Sequence, residues 1–295
     1  MFHVKHSGGG PVPPGSLCYA RTLSSRFRAK RSTRFDLMTR IVAIANQKGG
    51  VGKTTTAINV ASSVAAAEKR ALVVDMDPQA NLTSGLGIDP SQLSGTIYQG
   101  LVEGLPAEAL IRDTELVTLK VIPSERNLTG AEIELVDQPR REFRLREFLE
   151  PVASAYDFIF IDCPPSLGLL TLNALVAADS VLIPLQCEFF ALAGVSELLS
   201  TVSRVRASFN PKLEIEGIVF TMVDERTNLT TQVMEDVRQN FPGIVYRSII
   251  PRNVRLAEAP SFGKPILLYD VRSRGAEAYL SLTKEILGNE AQGAR

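Results

Sequence analysis

The chain has 295 residues, 45% of them hydrophobic and 22% charged, which is enough apolar material for one large α/β domain or two small ones. Its formal net charge is zero, but residues 1–39 hold seven Lys/Arg against one acid, leaving a mildly acidic body with 25 basic and 31 acidic residues. That balance excludes a global basic field for nucleic acid. No apolar run reaches the ~18–20 residues of a membrane span, and three cysteines without a CxxC pair (Cys18, Cys163, Cys187) argue for a reducing compartment and against a disulfide framework.

Residues 1–37 differ from the rest. Gly8-Gly9-Gly10-Pro11-Val12-Pro13-Pro14-Gly15 cannot continue a helix or a central strand, and no period follows it. A disordered N-terminal extension is expected there, with Met38 as an alternative start and a single domain over 38–295. The body then alternates strands and helices. Continuous apolar runs at 41–45, 71–75, 158–162, 180–184 and 217–221 read as strands buried on both faces, and 243–246 as a short edge strand. Helices are expected at about 53–67, 169–177, 193–208 and 229–239. This order predicts an α/β fold with a doubly wound, mostly parallel sheet and helices on both faces.

Between the first strand and the first helix lies Lys48-Gly49-Gly50-Val51-Gly52-Lys53-Thr54-Thr55. Glycines let backbone N–H groups approach phosphates, and the helix N-terminus adds its positive dipole end. Lys53 is placed to meet the β/γ-phosphates of a nucleotide, and the Thr54 hydroxyl to ligate Mg²⁺. The usual G-x-x-x-x-G-K-[ST] pattern has Gln47 in place of its first glycine, with a second lysine, Lys48, beside it. Two lysines at one phosphate site are more than one nucleotide needs, so one of them is available to a second subunit's nucleotide.

Three carboxylates close strands next to this loop. Asp75 and Asp77, two residues apart, project from the same side of the chain, and Asp162 ends the third strand ahead of Cys163-Pro164-Pro165. Ligands of open α/β sheets bind at such strand ends, and an apolar strand closing in Asp suits a carboxylate that holds Mg²⁺.

The KGGVGKTT run resembles the deviant Walker A family, which includes ParA/Soj partition ATPases and MinD. The resemblance to ParA/Soj extends through Asp77–Gly87, Ala131–Leu135, Asp162–Thr171 and Ile250–Pro260, and covers roughly residues 38–287. It implies a weak, partner-stimulated ATPase acting as a dimeric switch for chromosome or plasmid partitioning. The ATP-bound homodimer would hold DNA without sequence preference and be released when a ParB-like centromere-binding protein stimulates hydrolysis. It also implies a cytoplasmic, nucleoid-associated protein with no membrane attachment; a MinD-like membrane-cycling ATPase is the alternative. By the same resemblance Lys48 reaches the partner's phosphates and Asp77 positions the attacking water. Asp75 and Asp162, with Thr54, surround Mg²⁺, Pro251 and Asn253 lie near the adenine, and Arg226 and Arg255 contact DNA. Finally, Met1–His6 can be encoded by a stretch containing the palindrome TGTTTCACGTGAAACA, which resembles the site ParB binds, so residues 1–37 are read either as a translated upstream site or as a basic arm.

Overall fold

The computed structural model describes residues 39–224 and 226–293; the expectations for residues 1–37 lie outside it. In chain order the main elements are β1 (Arg40–Ile44), α1 (Lys53–Ala66), β2 (Ala71–Asp75), α2 (Asn81–Gly85), α3 (Ala107–Leu110), β3 (Arg112–Asp113), β4 (Leu119–Ile122), α4 (Leu128–Glu134) and α5 (Arg144–Ala153). They continue with β5 (Phe158–Asp162), α6 (Leu169–Ala177), β6 (Ser180–Gln186), α7 (Ala191–Ser208), β7 (Glu214–Val223), α8 (Asn228–Asn240), β8 (Val245–Pro251), α9 (Val254–Glu258), α10 (Ile266–Tyr269) and α11 (Arg274–Gly293).

Eight strands form one sheet in the order β3-β4-β2-β5-β1-β6-β7-β8. Every pairing is parallel except the short antiparallel contact of β3 with β4. The central strands are apolar throughout because both faces are covered, and successive residues feed opposite layers. Val42, Ile44, Val73, Phe158 and Phe160 join the layer under α1 and α11. Ala43, Leu72, Val74, Ile159 and Ile161 join the layer under α4 to α8. The doubly wound, mostly parallel fold expected from the sequence is the fold observed. The expected edge strand at 243–246 is displaced, because Gly243 sits at φ 82° in the turn and pairing with β7 runs from Val245 to Pro251.

This order places the crossover that matters for function. β1 lies between β5 and β6; its own helix α1 packs on one face while α6 and α7, which follow β5 and β6, pack on the other, and α1 starts at the carboxyl end of β1. A crevice at that end is where ligands of open α/β sheets bind.

Candidate nucleotide and metal site

The loop after β1 is built to leave amides open. Gly50 and Gly52 have φ of 73° and 86°, in the left-handed region that glycine enters without strain. Gly52 is the N-cap of α1, and no side chain caps the helix. Its first N–H groups therefore face outward with the positive end of the helix dipole, an arrangement that favours an anion. Two contacts from distant strands fix the loop. The Thr221 hydroxyl on β7 donates to Val51 O at 2.7 Å, and Asn46 donates to Pro184 O at 2.8 Å while its own Oδ1 accepts from Lys48 N at 3.0 Å.

The two lysines have separate fates. Lys53 is 6% exposed and folds back over the loop, its Nζ donating to Lys48 O at 3.2 Å. Burial pulls its ammonium below the ordinary lysine range, and Asp162 and Asp77 oppose that pull. Lys48 instead points outward from the mouth, half exposed, and is ion-paired with Glu188 in the segment after β6.

The three strand-end carboxylates also divide. Asp75 is buried with both oxygens engaged: Oδ1 accepts from Asp77 N at 3.1 Å, and Oδ2 accepts from Thr83 N and Thr83 Oγ1 at 2.9 and 2.6 Å. Burial raises its pKa to about 6, with those hydrogen bonds pulling down. In this state Asp75 shapes the turn that carries Asp77 and α2. Asp77 is nearly buried, with Oδ1 accepting from Gln79 N at 2.9 Å and its carbonyl held by Ser124 Oγ at 2.8 Å.

Asp162 differs from both. Its two oxygens are fully buried without a well-formed hydrogen bond. Burial first, then the charge of Asp75, drives its pKa well above the carboxylate range, while the Thr54 hydroxyl beside it and Lys53 pull the other way. An orphaned buried carboxylate facing a threonine hydroxyl at a phosphate loop fits Mg²⁺, which takes one or two protein oxygens and completes its octahedron with phosphate and water. Among the described residues no group of three His, Cys, Asp or Glu forms a closed metal cage. Thr54 and Asp162 would hold the ion, which when bound would neutralise charge between the β- and γ-phosphates. Cys163, buried just past Asp162, has its thiol pushed upward by burial and stays protonated.

The other expected positions make contacts of their own. Asn253 caps α9 through Oδ1, which accepts from Leu256 N at 3.3 Å, and Pro251 ends β8 beside Val223. Arg226 is 88% exposed and bidentate to Asp224, with contacts at 2.8 and 2.6 Å. Arg255 on α9 is paired with Glu258 at 2.9 Å and with Asp270 at 3.6 Å. Both arginines are therefore surface charges with acidic neighbours. Sequence reasoning missed Thr221 and Glu188, which sit 170 and 140 residues from their loop partners and leave no local signal.

A parallel α/β sheet with a glycine loop, an uncapped helix and an orphaned strand-end aspartate defines a P-loop nucleotide-binding protein. Residues 39–215 match the AAA domain family AAA_31. The chain is 59% identical over 248 residues to the chromosome partitioning protein ParA of Myxococcus xanthus, covering 84% of this chain and 88% of that one. It is 56% identical over 252 residues to the sporulation initiation inhibitor protein Soj of Bacillus subtilis, covering 85% and 100%. Among solved structures it resembles cobyrinic acid a,c-diamide synthase from Mycobacterium smegmatis with bound ADP and magnesium, with a TM-score of 0.77 and 36% identity over 87% of this chain and 97% of that one. The chain belongs to the ParA/Soj family of chromosome-partitioning ATPases.

Proposed function

We propose that the chain is an ATP-driven dimeric switch that carries DNA cargo during partitioning. ATP·Mg²⁺ binds each protomer at the loop, with Lys53 on its phosphates and Thr54 and Asp162 at the metal. Lys48 leaves Glu188 and reaches the phosphates bound by a second copy, closing a sandwich dimer. Asp77 orients the water that attacks the γ-phosphate, and Asp75 holds the turn that places Asp77. Phosphoryl transfer needs positioning and charge stabilisation more than covalent chemistry, which suits groups held this firmly.

The ATP-bound dimer then presents Arg226 and Arg255 from both protomers to DNA phosphates, a contact without sequence preference and sensitive to salt. A ParB-like partner stimulates hydrolysis, and loss of the γ-phosphate releases both the dimer and its grip on the nucleoid. Nucleotide thereby shifts the population between two states.

The observation that carries this reading is the division of the lysines. Lys53 is buried over its own loop, whereas Lys48 stands at the mouth on an ion pair that solvent weakens. Lys48→Ala should bind ATP with nearly unchanged affinity and remain monomeric by light scattering. A stable ATP-dependent dimer in that variant removes the bridging role.

A further inference from the structure

Two limbs of the nucleotide site converge behind the surface that carries Arg255. The first runs through α1. Asn59 is buried and uses both ends of its amide: Nδ2 donates to Thr55 O at 2.8 Å in the first turn of α1, and Oδ1 accepts from Ile266 N at 2.8 Å where α10 begins. The second runs through the turn after β2. Asp75 holds both the N–H and the hydroxyl of Thr83 and so sets the position of α2. At the end of α2, Gly85 lies against Ile58 of α1 and Pro260. Beyond it, a Cβ on Gly263 would stand 2.6 Å from Gly87 Cα, so the two backbones touch with no side chain between them.

The stretch gripped by these contacts, 259–266, follows directly on α9 and leads back to its arginine. The Tyr269 hydroxyl donates to Glu258 at 3.0 Å, Glu258 accepts from Arg255 Nη1 at 2.9 Å, and Asp270 lies 3.6 Å from Arg255 Nε. Packed contacts thus run without a break from the first turn of the phosphate-loop helix to one guanidinium. A residue that only had to show a charge to solvent would not need them. Arg226 is the contrast: its ion pair is to Asp224, two positions away on its own loop.

We propose that residues 259–270 form a relay in which Asn59 and the Gly87–Gly263 contact transmit the nucleotide state of the loop to the Arg255 surface. ATP then raises DNA affinity inside each protomer, in addition to pairing two surfaces in the dimer. The proposal rests on the reading of Arg255 as a DNA contact. Coupling of this kind needs an element whose position both sites bias, and the 259–270 segment, fixed at one end to α1 and α2 and at the other to Arg255, is that element.

The test uses the full chain. Binding to a short random-sequence duplex is measured by fluorescence anisotropy with ATP·Mg²⁺ and with ADP·Mg²⁺, alongside ATP-dependent dimerisation and a thermal melt. Asn59→Ala cuts the first limb, and Gly263→Ala pushes the second apart and places a side chain at φ 64°. Both variants should dimerise with ATP, while the ratio of DNA affinities in the two nucleotides falls about fivefold or more. Folded, dimerising variants that keep the wild-type ratio overturn the relay. Should neither core variant fold, Tyr269→Phe decides, since it removes only the outermost link: a lowered ratio supports the relay and an unchanged one overturns it. A wild-type chain that binds no DNA in either nucleotide refutes the Arg255 reading itself, a result distinguishable from an intact ratio in the variants.

Discussion

Replacing Asp162 with Asn should make the nucleotide-free protein more stable while destroying its response to Mg²⁺·ATP. The carboxylate is fully buried, lacks a well-formed hydrogen bond and is repelled by Asp75, so its pKa in the fold lies well above the reference value of 3.8. A carboxyl whose folded pKa is raised binds more protons in the native state than in the unfolded one across that window. Its contribution is therefore neutral below about pH 3.8, turns unfavourable as pH rises, and is fully unfavourable above the folded pKa. Each unit of displacement costs about 1.4 kcal/mol. For a domain of this size that is a Tm penalty of about 3–6 °C per unit.

The amide of Asp162→Asn has similar shape and no charge at any pH, so it escapes the penalty. Differential scanning calorimetry in EDTA should show the variant and the wild type converging near pH 4 and the variant melting several degrees higher at pH 8. Adding Mg²⁺·ATP should raise the wild-type Tm, because the ligand binds only the folded state, and should barely move the variant. A gap that does not widen with pH, or a variant that melts lower than wild type at pH 8, refutes the account of Asp162 as a carboxylate held for a cation.

Thr221→Val keeps the volume but leaves the Val51 carbonyl buried without its 2.7 Å donor, a loss of about 1–3 kcal/mol; it should lower Tm by about 2–12 °C and weaken ATP binding by calorimetry, and an unchanged Tm and affinity would show that β7 does not hold the loop. Arg255→Glu should abolish DNA binding in the ATP state and leave ATP-dependent dimerisation intact; low-salt DNA affinity equal to wild type removes Arg255 from the interface.

The parts of this fold that the sequence announced are those buried on both faces. β1, β2, β5, β6 and β7 are strings of Val, Ile, Leu, Phe and Ala because a parallel sheet between two helical layers has no solvent face to mark with polar residues. β8 gave a weaker signal because Arg247 and Ser248 interrupt it. Those positions are read correctly only with α11 in place, where Glu285 accepts from both of their N–H groups at 3.0 and 2.7 Å. Residues 90–157 hold two- to four-residue strands and short helices whose stability comes from neighbours and not from period, so no pattern marked them. The loop was legible because its motif is contiguous. The separate tasks of Asp75 and Asp162 were not, because both are aspartates closing apolar strands. Only the fold reveals that Thr83 and Asp77 turn their amides toward one, while the other has no well-formed hydrogen bond.

The charge inventory of the site suits a divalent cation bound beside the nucleotide. Asp75, Asp77, Asp162 and Glu188 stand around the loop against Lys48 and Lys53, and one of those lysines is already neutralised by Glu188. Burial is the first cause of the upward displacement of Asp75 and Asp162, and repulsion between carboxylates adds to it. A fully ionised triphosphate approaching this cluster meets carboxylate charge at short range. Open amides and a helix dipole offset part of it, each such dipole being worth about 0.3–2 kcal/mol. A divalent cation held by Asp162 would offset its repulsion with the phosphates and give the orphaned oxygens a partner. ATP titrated into the protein in EDTA should therefore bind at least about tenfold more weakly than ATP with Mg²⁺, and adding Mg²⁺ should not tighten ATP binding by Asp162→Asn. Equal affinity with and without the cation in the wild-type protein would mean that the carboxylates do not face the phosphates at all.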